Sequence, residues 1–158
     1  MVHFSHMEVE TMTSQLSANI TLWCSRVLTA VICLLVVFFP GLLRWYQTLR
    51  SLGPYGAAAI LIGFYCCVPA VLYALRCIDH LVGNILAGEV FVRDNVSRIR
   101  RIRWCCAWVS LVCLPASFFY PPLCFLAVIM AFLALVVSVV KNVMAAAVEI
   151  REENDLTV

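Results

Sequence analysis

Charged side chains are scarce in this chain. Of its 158 residues, 13% are charged and 64% are hydrophobic, whereas a soluble domain is typically about a quarter charged and about half apolar. A core of this size cannot bury such an excess of apolar side chains, so the lipid bilayer is the expected solvent. The composition therefore predicts a small integral membrane protein with a single domain.

Acidic residues, lysine and histidine are missing from the four long apolar runs. Each run can cross a hydrocarbon layer about 30 Å thick, which takes about 20 helical residues. The predicted spans lie at about 22–43, 55–75, 104–120 and 122–140. The third is short and contains Pro115, and Pro121 and Pro122 predict a tight turn before the fourth. We expect an all-α fold, a four-transmembrane-helix bundle over residues 22–148 that follows a polar segment (1–21) and precedes an acidic tail (149–158).

Small side chains recur every four residues in two of the spans, and small residues let helices approach closely in lipid. This spacing predicts packing faces in span two at Ala59, Gly63 and Cys67, and in span four at Ala127 with Ala131 and at Ala134 with Ser138.

The missing acid–base groups also limit function. An enzyme needs convergent nucleophilic, acid–base or metal-binding groups, and ion-coupled transport favours an ionisable residue inside the membrane. We therefore expect a non-enzymatic protein without cofactors. The nine cysteines form no C-x-x-C pair and are expected to act as small apolar residues. A metal or redox site at Cys77 and His80 is the alternative that stays open.

Lysine is nearly absent, since Lys141 is the only one among eleven basic residues. Nine of the eleven lie on one side of the predicted spans, and only Arg44 and Arg50 lie on the other. Basic loops are retained in the cytoplasm. We therefore expect both termini and the connection at residues 76–103 to be cytoplasmic.

The connection at 76–103 is too long for a simple turn. Ile78, Leu81, Val82 and Ile85 have helical spacing, which predicts that span two continues as an amphipathic helix that Gly88 ends. Asp94 or Asn95 is expected to cap the next helix. The prediction is a cytoplasmic helical hairpin between spans two and three, with a bend that contains Gly88, Phe91, Asp94 and Asn95.

An arginine-dense segment follows this bend, and two interpretations compete. The arginines could set the topology and bind anionic lipid headgroups, or they could dock an acidic protein partner. The candidate binding residues are Arg93, Arg98, Arg100, Arg101 and Arg103.

The carboxyl-terminal tail is acidic and is expected on the same side of the membrane as the arginines. We predict that the tail pairs with the hairpin, with a solvated terminus as the alternative. Its acidic residues are Glu149, Glu152, Glu153 and Asp155.

Two motifs carry a family resemblance. The segment GEVFVRDNVSRIRRI at 88–102 resembles the central signature of the bacterial DUF2975 family, and the ending ENDLTV at 153–158 is similar to that family's terminus. The resemblance covers about residues 20–158. It implies a multi-pass protein of the bacterial cytoplasmic (inner) membrane, and it supplies no catalytic residues.

The resemblance also bears on partners. Members are often encoded beside a small helix-turn-helix regulator, which implies a membrane partner that sequesters or releases this regulator. A sensor or binding protein for a hydrophobic ligand or lipid, or a small oligomeric transporter or channel, remains an alternative. Direct nucleic acid binding is not expected, and homo-oligomerisation stays open.

Overall fold

Four long helices make up the regular structure of the residues described. The computed structural model describes residues 2–49, 53–90 and 92–156, and side chains within these ranges except at 2–15, 54, 155 and 156. The helices are α1 (Val2–Leu49), α2 (Pro54–Leu86), α3 (Arg93–Ser117) and α4 (Pro122–Leu156). No strand occurs in these ranges, so the predicted all-α fold is confirmed.

Three of the described helices could cross a membrane. The apolar segments run over Leu16–Leu49, Tyr55–Leu86 and Pro122–Asn154 and are long enough and apolar enough to do so. The third predicted span falls in α3, which does not qualify because its first half carries five arginines. Many large apolar side chains are exposed on all four helices. A protein whose solvent is lipid is expected to have such a surface, so the helices indicate a membrane protein.

The helices follow one another as antiparallel neighbours. Within the described part of the chain, close backbone contacts join α1 to α2, α2 to α3 and α3 to α4, whereas non-consecutive helices do not come as close. α2 and α3 are therefore the two inner helices, each with two neighbours, and the helices form an open row rather than a ring.

The interface of α3 and α4 contains the best-buried apolar residue among those described, Ala127. Val109 and Cys113 of α3 pack with Ala127 of α4, which is 1% exposed. The Ser110 hydroxyl donates to the Ala127 carbonyl over 2.9 Å. Ala131, one turn along α4, is exposed. The predicted small-residue face of α4 is therefore a close contact at Ala127 but not at Ala131, and further along the helix Ser138 accepts a hydrogen bond from Arg103 of α3.

The interfaces of α2 are held by small and aromatic residues. A side-chain methyl at Gly63 would meet Ala116 of α3 at 3.8 Å, so the predicted face of span two lies against α3 at this point. On the other side, Phe64 stacks on Phe39 of α1 with ring centroids 3.8 Å apart. The Tyr65 hydroxyl also donates to a carbonyl of α1, at Val36.

Candidate functional site

The α2–α3 bend, residues 87–92, begins with a glycine-dependent helix end. Gly88 has a φ of +81°. Residues that carry a side chain rarely adopt this left-handed backbone conformation. Its N–H donates to the Ile85 carbonyl over 3.0 Å, and the Glu89 N–H donates to the Asn84 carbonyl over 2.9 Å. This pair of bonds is a Schellman motif. The predicted helix stop at Gly88 is confirmed, whereas Phe91, also predicted in the bend, lies outside the described residues.

Asn95 holds the bend from inside. It is the one described large side chain that is fully buried. Its Nδ2 donates to the carbonyls of Glu89 and Val90 over 2.8 and 2.9 Å, and its Oδ1 accepts from Asn84 Nδ2 over 2.8 Å. One amide side chain therefore satisfies two carbonyls of the α2–α3 bend and joins the bend to the end of α2.

The prediction that Asp94 or Asn95 caps α3 is wrong. The helix begins at Arg93, and Val92 occupies the N-cap position without a side-chain hydrogen bond to the helix. Asn95 turns back to the bend instead, because its amide has two carbonyls to satisfy there. Asp94 accepts from Arg98 Nε over 2.8 Å. This hydrogen bond is the main reason that the pKa of Asp94 lies below its usual range.

The acidic tail contacts the arginine segment through one ion pair. Arg93 Nε and Nη2 donate to the two carboxylate oxygens of Glu152 over 2.8 and 2.5 Å. Such paired, parallel bonds give geometric specificity as well as charge pairing. They lower the pKa of Glu152 and raise that of Arg93. The predicted pairing of tail and hairpin is thus present at this pair, and the Asp155 side chain lies outside those described.

The other arginines point to different neighbours. Arg101 Nη1 donates to the Tyr73 hydroxyl of α2 over 3.1 Å, and Arg103 Nη1 donates to the Ser138 hydroxyl of α4 over 3.2 Å. Arg100 is exposed, and among the described residues no hydrogen bond or ion pair to it is found. The five predicted binding residues therefore do not form one surface, because three of them are directed away from Arg93 and Arg100.

Arg93 and Arg100 do share one feature, which we name the arginine cleft. It is a depression of about 300 Å³ between the start of α3 and the end of α4, with both polar and apolar walls. Its charged and hydroxyl-bearing walls are Arg93, Ser97, Arg100, Glu149 and Glu152. Arg93 and Arg100 lie seven residues, or about two turns, apart on the same face of α3. The cleft therefore holds two arginines and two glutamates, and of its arginines Arg93 is paired with Glu152, whereas Arg100 has no hydrogen bond or ion pair to the described residues.

Sequence reasoning missed a second feature, which we name the apolar groove. It has a volume of about 540 Å³, and its walls come from all four helices. The Tyr46 and Tyr120 hydroxyls, 3.2 Å apart, lie at one end. No periodicity marks the groove, because its walls combine residues far apart in the chain. Gly63 and Cys67, already singled out by small-residue spacing, both line it.

The cysteines are free thiols. Cys67 of α2 packs against Cys113 of α3, and both face the apolar groove. Cys77 is buried, and neither Cys77 nor His80 belongs to a group suited to hold a metal ion among the residues described.

Comparisons with known proteins yield one match. No curated protein and no solved structure matches the chain. A family model described as protein of unknown function (DUF2975) matches residues 10–158. The resemblance was expected over about residues 20–158, and the match begins somewhat further towards the amino terminus. The chain therefore belongs to the DUF2975 family.

Proposed function

We propose that this protein is a non-enzymatic, membrane-bound regulatory partner. In this proposal it binds an acidic face of a small cytosolic helix-turn-helix regulator through the arginine cleft and keeps that regulator from DNA. The protein resides in the bacterial inner membrane, with four spans and both termini in the cytoplasm. The observation that carries the proposal is the cleft itself, where Arg93 holds a carboxylate and Arg100 has no hydrogen bond or ion pair to a carboxylate among the described residues.

The packing of α3 supports a fourth crossing. α3 runs antiparallel to α4 from the contact of Ser110 with Ala127 to the ion pair of Arg93 with Glu152. A helix packed in this way occupies the same depth as its neighbour. Because α4 is apolar enough to cross the bilayer, the apolar half of α3 crosses beside it.

The ends of the helices are consistent with an arginine-bearing surface in the cytoplasm. Arg103, with its hydroxyl partner on α4 and Trp104 beside it, marks the boundary of the apolar region of α3. Arginine and tryptophan are both favoured at the membrane interface. Arg100 lies about one turn beyond this boundary, and Arg93 about two further turns. Both cleft arginines thus project outside the hydrocarbon, on the side with nine of the eleven basic residues.

Glu152 serves as an internal model of the partner. A regulator with an acidic helix can place one carboxylate at Arg100 and exchange a second for Glu152 at Arg93. Arginine suits this role because its planar fork binds carboxylates through two bonds. The tail then acts as a competitor that keeps the cleft occupied until a partner with two well-placed carboxylates arrives.

The absence of acid–base side chains from the predicted spans supports a non-enzymatic role. No Asp, Glu, Lys or His occurs at 22–43, 55–75, 104–120 or 122–140. A reaction inside the membrane domain would lack the proton-transfer groups that catalysis commonly uses.

In-cell photocrosslinking from position 149 tests the proposal. Glu149 lines the cleft, so a photoreactive residue there reports on an occupant and leaves every arginine in place. We expect an adduct with a small helix-turn-helix protein, identified by mass spectrometry. The same residue at the exposed Asn142, on α4 before the cleft, gives the background.

Charge reversal separates docking from topology. Arg100→Glu is expected to remove the adduct, whereas Arg151→Glu, an exposed arginine outside the cleft, should retain it. Reporters fused to both termini should show unchanged orientation in both variants. An adduct that survives Arg100→Glu, or adducts with lipid alone, would refute the docking proposal and leave the arginines as a headgroup anchor.

A further inference from the structure

The apolar groove opens sideways between the first and last helices. α1 and α4 both contribute walls, yet their described backbones are not in close contact. α2 and α3 form the floor, where Gly63 and Ala116 keep the side chains small. The opening therefore faces whatever surrounds the helices, which in a membrane is lipid.

The dimensions of the groove match one hydrocarbon chain. On α2 its wall extends from Ile60 to Val71, which corresponds to about 16 Å of helix. One leaflet of the bilayer provides about 15 Å of hydrocarbon. Spread over this length, the volume of about 540 Å³ gives a mean cross-section of about 34 Å². A helix about 10 Å wide covers about 80 Å², so the groove is too narrow for a helix from a second copy.

The chemistry of the walls also indicates a lipid chain. The lining is apolar almost throughout, and its hydroxyl groups belong to the pair of Tyr46 and Tyr120 at one end. Arg44 and Trp45 lie beside this end on α1, and such residues favour the headgroup layer. A phospholipid with its headgroup there has its ester oxygens near the tyrosines and one chain directed inward. The acyl chain supplies the dispersion contacts that the walls of the groove would lack if the groove were empty.

We infer that the apolar groove is a binding site for a single acyl chain of a membrane phospholipid, taken from the leaflet on the Tyr46 side. The inference uses the membrane placement given above but not the protein partner. Loss of the helix-turn-helix adduct would leave it intact, and loss of the lipid site would leave the docking proposal intact.

Photolabelling of the full chain in vesicles tests this site. The probe is phosphatidylcholine with a diazirine midway along one acyl chain, present at a low fraction in phosphatidylcholine vesicles. The two neighbouring cysteines of α2 give an internal comparison, because Cys66 is exposed outside the groove and Cys67 lines it. Cys113, 6% exposed, lies deeper in the groove wall. We expect lipid adducts at Cys67 and Cys113 as well as at Cys66.

A blocking substitution with a matched control identifies the groove as the source. Leu126 and Leu133 of α4 are 38% and 40% exposed, and only Leu126 lines the groove. Leu126→Trp is expected to remove the adducts at Cys67 and Cys113 and to retain those at Cys66. Leu133→Trp should leave all three labelled.

A second variant keeps the test valid if Leu126→Trp does not fold. Gly63→Leu fills the groove from α2, and Gly63→Ala is its control, since a methyl there makes only ordinary contacts of 3.8 and 4.0 Å. Equal labelling of Cys67 in the blocked and control variants, or labelling confined to Cys66, would overturn the inference. A photoreactive residue at position 67 that joined two copies of the chain would also overturn it, in favour of a dimer interface.

Discussion

Replacement of Asn95 by alanine is expected to loosen the α2–α3 bend strongly. The side chain is fully buried and makes three hydrogen bonds of 2.8 to 2.9 Å. Alanine removes all three at once. The carbonyls of Glu89 and Val90 and the amide of Asn84 then lose their partner.

The magnitude follows from the number of bonds. A typical intramolecular hydrogen bond contributes about 1 kcal/mol net, and more when its loss leaves a buried group unsatisfied. Three bonds therefore give about 3 kcal/mol for local opening of the bend. This corresponds to amide exchange on the order of 100-fold faster. Asn84→Ala removes one of the three bonds, so about fivefold faster exchange is expected.

Hydrogen–deuterium exchange with mass spectrometry measures this effect directly. The informative amides are those of Glu89 and Asn95, which bond to the carbonyls of Asn84 and Val92. Asn142→Ala, at an exposed asparagine of α4, should leave exchange in the bend unchanged. Equal exchange in Asn95→Ala and wild type would refute the reasoning, because it would mean that the three bonds do not hold the bend.

Three further predictions test the bend, the core and the tail. Gly88→Ala should cost about 1–2 kcal/mol because of its left-handed backbone, whereas Gly83→Ala, inside α2 with open space around it, should stabilise by about 0.5–1 kcal/mol. Thermal unfolding in detergent gives both signs, and a loss at both positions would contradict the backbone argument. Ala127→Leu should cost about 1–3 kcal/mol in the same assay through overpacking, and the exposed Ala131→Leu should be neutral; equal effects would argue against the α3–α4 contact. Because the pKa of Glu152 is lowered, the tail contact should be complete above the usual Glu range and lost as the pH falls through the lowered value. Spin labels at the start of α3 and the end of α4 measure the distance between these helix ends as the pH falls. Glu152→Gln should remove the pH dependence of this distance.

Helix existence could be predicted from the sequence, because long apolar runs and helical spacing are local signals. Gly88 was also predictable, since few residues other than glycine end a helix with a positive φ. Asn95 illustrates what local reasoning misses. Its sequence position next to a helix start suggested a cap, but two carbonyls of the α2–α3 bend compete for the same amide.

The individual arginine partners were not predictable for a related reason. Sequence gives the charge of a segment but not the residues of other helices that face it. Tyr73, Ser138 and Glu152 each lie at least 28 positions away from the arginine they contact. The tail pairing was predicted from opposite charge on one side of the membrane, and the structure assigns it to one pair. The apolar groove gave no comparable signal, because hydrophobic residues that line it look like those that face lipid.

The inner position of α3 explains how one helix carries both features. It is the least apolar of the four helices, and it packs between α2 and α4. Those neighbours cover part of its surface and supply hydroxyl partners to Arg101 and Arg103, so the helix can carry arginines close to the apolar region. The carboxyl-terminal half of α3 forms a wall of the apolar groove through Val112 and Ala116. Two sites on one continuous helix are linked if occupancy of either shifts that helix, and such linkage is reciprocal in binding free energy. A lipid chain in the groove and an acidic partner at Arg100 would then each change the affinity for the other by the same factor.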